Sequence, residues 1–195
     1  MAKLVVVEQL SLDGVMQGPG GPDEDRSGGF EHGGWAMSYF DEVARDEAGK
    51  SMAETAAFLF GRKTYEILAA YWPNHPDNDI FSNVLNSLPK YVASTTLDEP
   101  LAWSGSSLLK GDVAEAVAAL KEDLDGNIVV LGSGQLARTL MEHDLVDEYG
   151  LTIHPLTLGS GKRLFDEKGA MRPLSLVDSR ISTTGVILAT YRPEG

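Results

Sequence analysis

The stretch Ile128 to Leu136, IVVLGSGQL, constrains the fold of this chain more than any other. Ile128 to Leu131 is an unbroken apolar run, the pattern of a strand buried on both faces. Gly132-Ser133-Gly134 ends the run, and apolar residues then recur at helical spacing from about Gln135 to Glu142. A buried strand, a glycine turn and a helix start in direct succession make half of a parallel crossover. The junction also has chemistry of its own. The first amides of a helix have no intrahelical acceptor and sit at the positive end of its dipole, which suits a phosphate group.

The rest of the chain repeats the alternation. Lys3 to Gln9 is a Val-rich strand followed by Ser11-Leu12-Asp13-Gly14. Trp35 to Ala53 has a helical pattern, and Thr55 to Phe60 reads as a second strand. Gly61 to Glu66 turns from that strand into a helix that Pro73 stops. Asp77 to Leu88 is helical again, Tyr91 to Ala93 is a short strand ending in Ser94-Thr95-Thr96, and Ser106 to Lys110 is a further short strand. Asp112 and Glu115 have capping-box spacing ahead of an apolar helix face. Tyr149 to Ile153 is a strand, and Leu174 to Ile181 with Val186 to Tyr191 reads as a hairpin. Strands alternating with helices predict an α/β fold with a mostly parallel central sheet flanked by helices and a C-terminal antiparallel hairpin. No linker or repeat divides residues 1–195, so a single domain is expected. Gly18 to Gly34 (GPGGPDEDRSGGFEHGG) lacks periodicity and is expected to close over a site as a lid, with a plain flexible insertion as the alternative.

Composition narrows the function. Lys and Arg number 16 against 29 Asp and Glu, a net charge of −13. That balance argues against nucleic acid or an anionic membrane as the main partner. With no cysteine, disulfides, thiolate metal sites and Cys nucleophiles are excluded. His32, His75, His143 and His154 have no ligand spacing, so no metal site is expected. The apolar run Leu4 to Val7 is too short for a signal or a membrane span, and a cytoplasmic protein is expected.

Three predicted strand ends carry small or polar turns: Gly61 to Thr64, Ser94 to Thr96, and Gly132 to Leu136. Ligands of open α/β sheets bind beyond the carboxyl ends of the strands. Arg62 offers a bidentate phosphate donor, and Thr64, Ser94 and Thr95 offer hydroxyls. Each turn alone is equally compatible with a purely structural role. The third is not the G-x-G-x-x-G fingerprint, because position 137 is Ala.

Gly61-Arg62-Lys63-Thr64-Tyr65-Glu66 and Val129 to Leu136 resemble two turns of the dihydrofolate reductases. Ser11-Leu12-Asp13-Gly14, Gly33-Gly34-Trp35 and the run from Pro155 through Leu158, Gly159, Gly161 and Lys162 to Leu164-Phe165 are more similar to the reductase domain of bacterial riboflavin biosynthesis, the RibD C-terminal family, and its stand-alone relatives. The resemblance covers nearly the whole chain in order. It implies a dihydrofolate-reductase-like fold, NADPH as cofactor, and hydride transfer to a small heterocyclic or sugar-like substrate such as a pterin or a ribosylaminopyrimidine. It places Gly61, Arg62 and Thr64 near the 2′-phosphate and pyrophosphate side of NADPH, and Ser94 and Thr95 near the adenosine phosphate. Gly132, Ser133, Gly134, Gln135 and Leu136 would wrap the pyrophosphate, and Val15 would flank the nicotinamide. A cis Gly132-Ser133 peptide, as at the equivalent turn of dihydrofolate reductases, stays open. Asp13 is the candidate for substrate contact and proton delivery, with a turn-forming Asp as its equal alternative; water is the other proton source. Trp35 is a second candidate substrate contact, and Asp41 reads as a solvated helix residue. The resemblance also implies a homodimer. The alternative function is a non-catalytic NADP-binding or regulatory module that retains the cofactor pocket.

Overall fold

The computed structural model describes residues 1–75, 80–165 and 169–194. Its strands are β1 (Lys3–Ser11), β2 (Thr55–Gly61), β3 (Lys90–Ala93), β4 (Ser106–Leu109), β5 (Asn127–Leu131), β6 (Glu148–His154), β7 (Leu174–Ile181) and β8 (Ile187–Pro193). The helices are α1 (Glu42–Ala53), α2 (Arg62–Tyr71), α3 (Ile80–Ser87), α4 (Val113–Asp123) and α5 (Gly134–Glu142). The strand order is β4-β3-β2-β5-β1-β6-β8-β7. β2 runs parallel to β3 and β5, and β3 parallel to β4, whereas β8 is antiparallel to β6 and β7. The α/β class and the terminal hairpin follow the sequence pattern. Among the described residues no helix is long and apolar enough to cross a membrane. The chain forms two compact units: residues 1–6 with 48–146, and residues 7–47 with those from 147 on.

The first unit holds the parallel strands. Leu59, Phe60, Ile128, Val130 and Val92 are fully buried, as unbroken apolar strands require. The Phe58 and Phe60 rings stack 5.8 Å apart, and Trp103 continues the stack 6.1 Å beyond Phe60. α5 buries Leu136, Ala137, Leu140 and Met141, one face of a helix. The Asp112 side chain caps α4 by accepting from the Glu115 N–H at 3.0 Å, as its spacing predicts. The helix expected from Asp77 is seen from Ile80; residues 77–79 lie outside the described residues. Lys90 is the exception to sequence pattern, since its whole side chain is buried. Its ammonium donates to the carbonyls of Leu85 and Leu88, both at 2.8 Å, beside the end of α3, and lies 4.8 Å from the Trp103 ring centre. A cation at a helix C-terminus satisfies carbonyls that the helix cannot. Burial lowers the Lys90 pKa to about 8, so the group stays charged at neutral pH.

The second unit is built around polar anchors. The helix expected from Trp35 begins only at Glu42; Met37 to Tyr39 form a 3-10 turn. Asp41 sets the boundary, because its Oδ1 accepts from the Ala44 N–H at 2.9 Å and its Oδ2 takes the Thr183 N–H and hydroxyl at 2.8 and 2.7 Å. The Thr183 hydroxyl, then the Ala44 amide, hold the Asp41 carboxyl at about 2. Asp41 thus ties the start of α1 to the turn between β7 and β8. Val15, Phe30, Trp35 and Ala36 form a buried cluster, and His154 packs edge-on to Trp35 at 5.1 Å.

Burial pushes the His154 pKa down to about 4 from 6.5. A folded pKa below the unfolded one means that the neutral ring's contribution is complete above pH 6.5 and is lost as pH falls toward 4. That interval corresponds to at most ~3.5 kcal/mol. Chemical denaturation between pH 7 and 4 is expected to show a shallower acid loss for His154→Gln than for the wild type, with the difference confined to that window.

Candidate cofactor site

β3, β2 and β5 are neighbours in that order and run parallel, so their carboxyl ends share one edge of the first unit. Gly61 is in register with Ala93, which sets the turn after β2 level with the turn at Ser94. The turns after β2 and β5 are bonded directly: the Gly61 N–H donates to the Ser133 hydroxyl at 2.9 Å. They are also close-packed. A Cβ on Gly132 would stand 3.3 Å from the Thr64 methyl, and one on Gly61 would stand 3.6 Å from Ser133 Cβ.

Gly132 (φ 63°) and Ser133 (φ 69°, ψ 49°) are successive left-handed residues. Glycine adopts this conformation freely, whereas for serine it costs about 1–2 kcal/mol. The bond from Gly61 helps hold Ser133 there. Such strain persists where the surroundings over-determine it and clusters at ligand clamps. The Gly132-Ser133 peptide is not cis; the cis bond of the described residues is Glu99-Pro100.

Both helices that leave these turns begin without a side-chain cap, α2 after Gly61 and α5 after Ser133. Ser133, at the N-cap of α5, has its hydroxyl committed to Gly61 instead. The first intrahelical bond of α5 runs from the Ala137 N–H to the Ser133 carbonyl at 2.9 Å, leaving the amides of Gly134, Gln135 and Leu136 ahead of it. Leu136 is buried by its side chain, so only its backbone can serve a ligand, while Gln135 is exposed. Arg62 is exposed and makes a loose 3.8 Å contact with Glu66. The Ser94 hydroxyl accepts from the Thr96 and Leu97 amides, both at 3.1 Å, which shapes its turn, and Thr95 is exposed. Two uncapped helix starts bonded to each other, with an arginine at one of them, form a cradle for a phosphorylated group. The donor set fits a dinucleotide pyrophosphate.

The other expected residues lie in the second unit. The Asp13 carboxylate accepts from the Ser11 hydroxyl at 2.6 Å and from the amides of Leu158 and Gly159 at 3.1 and 2.7 Å. The Arg163 guanidinium donates to the Asp13 carbonyl at 2.9 Å and lies 3.7 Å from its carboxylate. The Ser11 hydroxyl bond, then the two amides, outweigh burial and bring the Asp13 pKa to about 2. A carboxyl of that pKa is ionised throughout the neutral range, where it accepts hydrogen bonds and has no proton to give. Asp13 holds the 156–163 segment on the end of β1. Val15 is fully buried; its N–H donates to the Ser11 hydroxyl and its carbonyl accepts the Ser11 N–H, both at 2.9 Å. Trp35 is buried as well and donates from its ring N–H to the Gln17 carbonyl at 2.7 Å.

Several residues carry structural weight that sequence reasoning did not assign to them. Gln17 donates to the carbonyls of Ser27 and Asp25 at 2.9 and 3.1 Å and accepts the Lys162 N–H at 3.0 Å. The Lys162 ammonium reaches Asp25 and the Ser27 hydroxyl. With the Gly34 N–H on the Gly18 carbonyl at 2.8 Å, these bonds brace the Gly18 to Gly34 segment. Movement of the whole segment would have to break them. Glu8 is a buried carboxyl whose Oε1 has no partner, and burial, with Glu24 adding to it, raises its pKa well above the ordinary value. Its signal was an acidic residue inside a Val-rich strand.

The chain is 31% identical over 140 residues to the uncharacterised protein YyaP of Bacillus subtilis strain 168, covering 70% of this chain and 73% of that one. A Shewanella sp. PV-4 protein named for riboflavin biosynthesis has a similar structure (TM-score 0.76, 23% identity, all of both chains covered). Dihydrofolate reductase from Enterococcus faecalis, solved with NADP(H), shares the fold (TM-score 0.62, 14% identity, 99% of this chain and 97% of that one covered). The profile of the RibD C-terminal domain matches residues 2–188. The strand-end turns, the sheet order and this match agree, and the chain belongs to the RibD C-terminal domain family.

Proposed function

We propose that this chain is an NADPH-dependent reductase acting on a small heterocyclic or sugar-like substrate, such as a pterin or a ribosylaminopyrimidine. The observation that carries the reading is the pair of uncapped helix starts joined by the Gly61–Ser133 bond, with Arg62 beside them. Membership in the RibD C-terminal domain family supports the reaction class. When bound, NADPH supplies a hydride from its nicotinamide C4 to a C=N or C=O carbon. The amides at the starts of α2 and α5 would hold the pyrophosphate, and Arg62 and Thr64 the 2′-phosphate side. Ser94 and Thr95 would meet the adenosine phosphate. Asp13 would act as a positioning residue, fixing the 156–163 segment, and the proton that balances the hydride would come from water. The reading also expects a homodimer. The edge strand β7, with Leu176, Val177 and Ile181 exposed, is the strand that needs cover.

NADPH at a hundredfold excess over its Kd is expected to stabilise the chain by about 2.7 kcal/mol; a melting temperature unmoved by millimolar NADPH contradicts the reading. Arg62→Ala is expected to weaken NADPH ~10–100-fold, the worth of a charged hydrogen bond (roughly 1.5–3 kcal/mol), with little effect on NADH. Equal losses for both nucleotides would remove the 2′-phosphate assignment. Ser133→Val puts a β-branched residue in the left-handed turn and is expected to weaken NADPH more than Ser133→Gly, which keeps the turn and loses only the hydroxyl. Calorimetric titration of the two variants separates these outcomes. Asp13→Asn is expected to leave the pH dependence of turnover unchanged between pH 6 and 9, because Asp13 does not titrate there. It should lower stability above pH 3.8, with the deficit closing as pH falls toward 2. A displaced neutral limb in the rate profile would return the proton to Asp13.

A further inference from the structure

Gln9 on β1 and His154 at the end of β6 meet at 2.7 Å, His Nε2 to Gln Oε1. The proton on this contact follows from the surroundings. His154 is buried, and its Nδ1 has no partner. A proton on Nδ1 would be a buried donor without an acceptor, at a cost of about 1–3 kcal/mol. The neutral ring therefore carries its proton on Nε2 and donates it, and Gln9 must turn its carbonyl oxygen inward to accept. Burial keeps the ring neutral at physiological pH. The Gln9 amide nitrogen then points away from His154. Gln9 is half-buried, and among the described residues neither of its amide N–H bonds meets an acceptor.

The surroundings of this donor pair are braced. The Trp35 and Tyr39 rings stand 5.1 and 5.6 Å from the imidazole, edge-on at 88° and 72°. Trp35 is fixed by its bond to the Gln17 carbonyl. The Tyr39 backbone is tied to the β7–β8 turn, its carbonyl accepting from the Thr184 hydroxyl at 2.7 Å. A carboxamide locked by a buried histidine loses no orientation freedom when it meets a ligand, which is how a site gains selectivity. All four residues belong to the second unit, whereas the phosphate-binding turns belong to the first.

We propose that Gln9 is a specificity-determining donor for the substrate, its two amide N–H groups reading a ring carbonyl or ring nitrogen of a planar molecule, and that His154 is the positioning residue that fixes its orientation. The assignment to a substrate rests on the reductase reading; the orientation of Gln9 does not. The test is titration of lumazine, a planar heterocycle with two ring carbonyls, onto the full chain with and without NADP⁺. The wild type is expected to bind it. Gln9→Leu should weaken it at least tenfold. Gln9→Glu keeps the acceptor for His154 and removes the donors, and should weaken lumazine as much while melting like the wild type. NADPH affinity should be unchanged in both. His154→Phe should weaken lumazine and broaden the Gln9 amide resonances, and ¹⁵N spectra of the wild type should show the Nε2–H tautomer. An Nδ1–H tautomer, absent lumazine binding in the wild type, or equal affinity in Gln9→Glu would each overturn the proposal. Gln9-dependent lumazine binding without any NADPH binding would sink the reductase reading and leave the Gln9 donor standing.

Discussion

The hydrogen bond from the Gly61 amide to the Ser133 hydroxyl underlies the cofactor-site reading. It joins the ends of two parallel strands and helps hold a serine in a left-handed conformation. It also commits the hydroxyl that would otherwise cap α5. Helix caps usually come from the side chain at this position. Here that group bonds the neighbouring turn, and the helix start keeps its donors. One bond thereby aligns two strand ends, fixes the turn and leaves amides open to an anion.

The second unit uses a different device. Its loops are held by buried or half-buried polar side chains, each meeting partners more than a hundred residues away. Asp13 takes the amides of Leu158 and Gly159, Gln17 the amide of Lys162, and Asp41 the turn at Thr183. Asp13, Asp25 and Asp41 are all held near pKa 2; for Asp25, Lys162 and Ser27 overcome the effect of burial. Carboxylates that receive several N–H or O–H donors are stabilised in the charged form. They can organise long glycine-rich connections that have little apolar surface of their own to bury.

Much of the fold could be read because it rests on local patterns. The apolar runs gave β1, β2 and β5, and Asp112 with Glu115 marked the start of α4. The start of α1 could not be read, since helical periodicity from Trp35 continues through a 3-10 turn, and the deciding contact, Asp41 to Thr183, is long-range. The division into two units left no linker because its first boundary falls inside β1, between Val6 and Val7. The three strand-end turns were visible as glycine and hydroxyl residues. Whether they met depended on strand order, which the sequence does not state. Asp13 was visible as a residue but not in its environment, because Leu158, Gly159 and Arg163 come from the far end of the chain. His154 looked isolated for the same reason, with Gln9 145 positions away.

The starts of α2 and α5 are proposed to take a dinucleotide's phosphates, and Arg62 its 2′-phosphate. A crystal structure of the chain with NADP⁺ tests it most directly. The account predicts the pyrophosphate within hydrogen-bonding distance of the amides at the starts of α2 and α5, with the Arg62 guanidinium on the 2′-phosphate. A dinucleotide bound with its phosphates away from both helix starts, or none bound at saturating concentration, would contradict it.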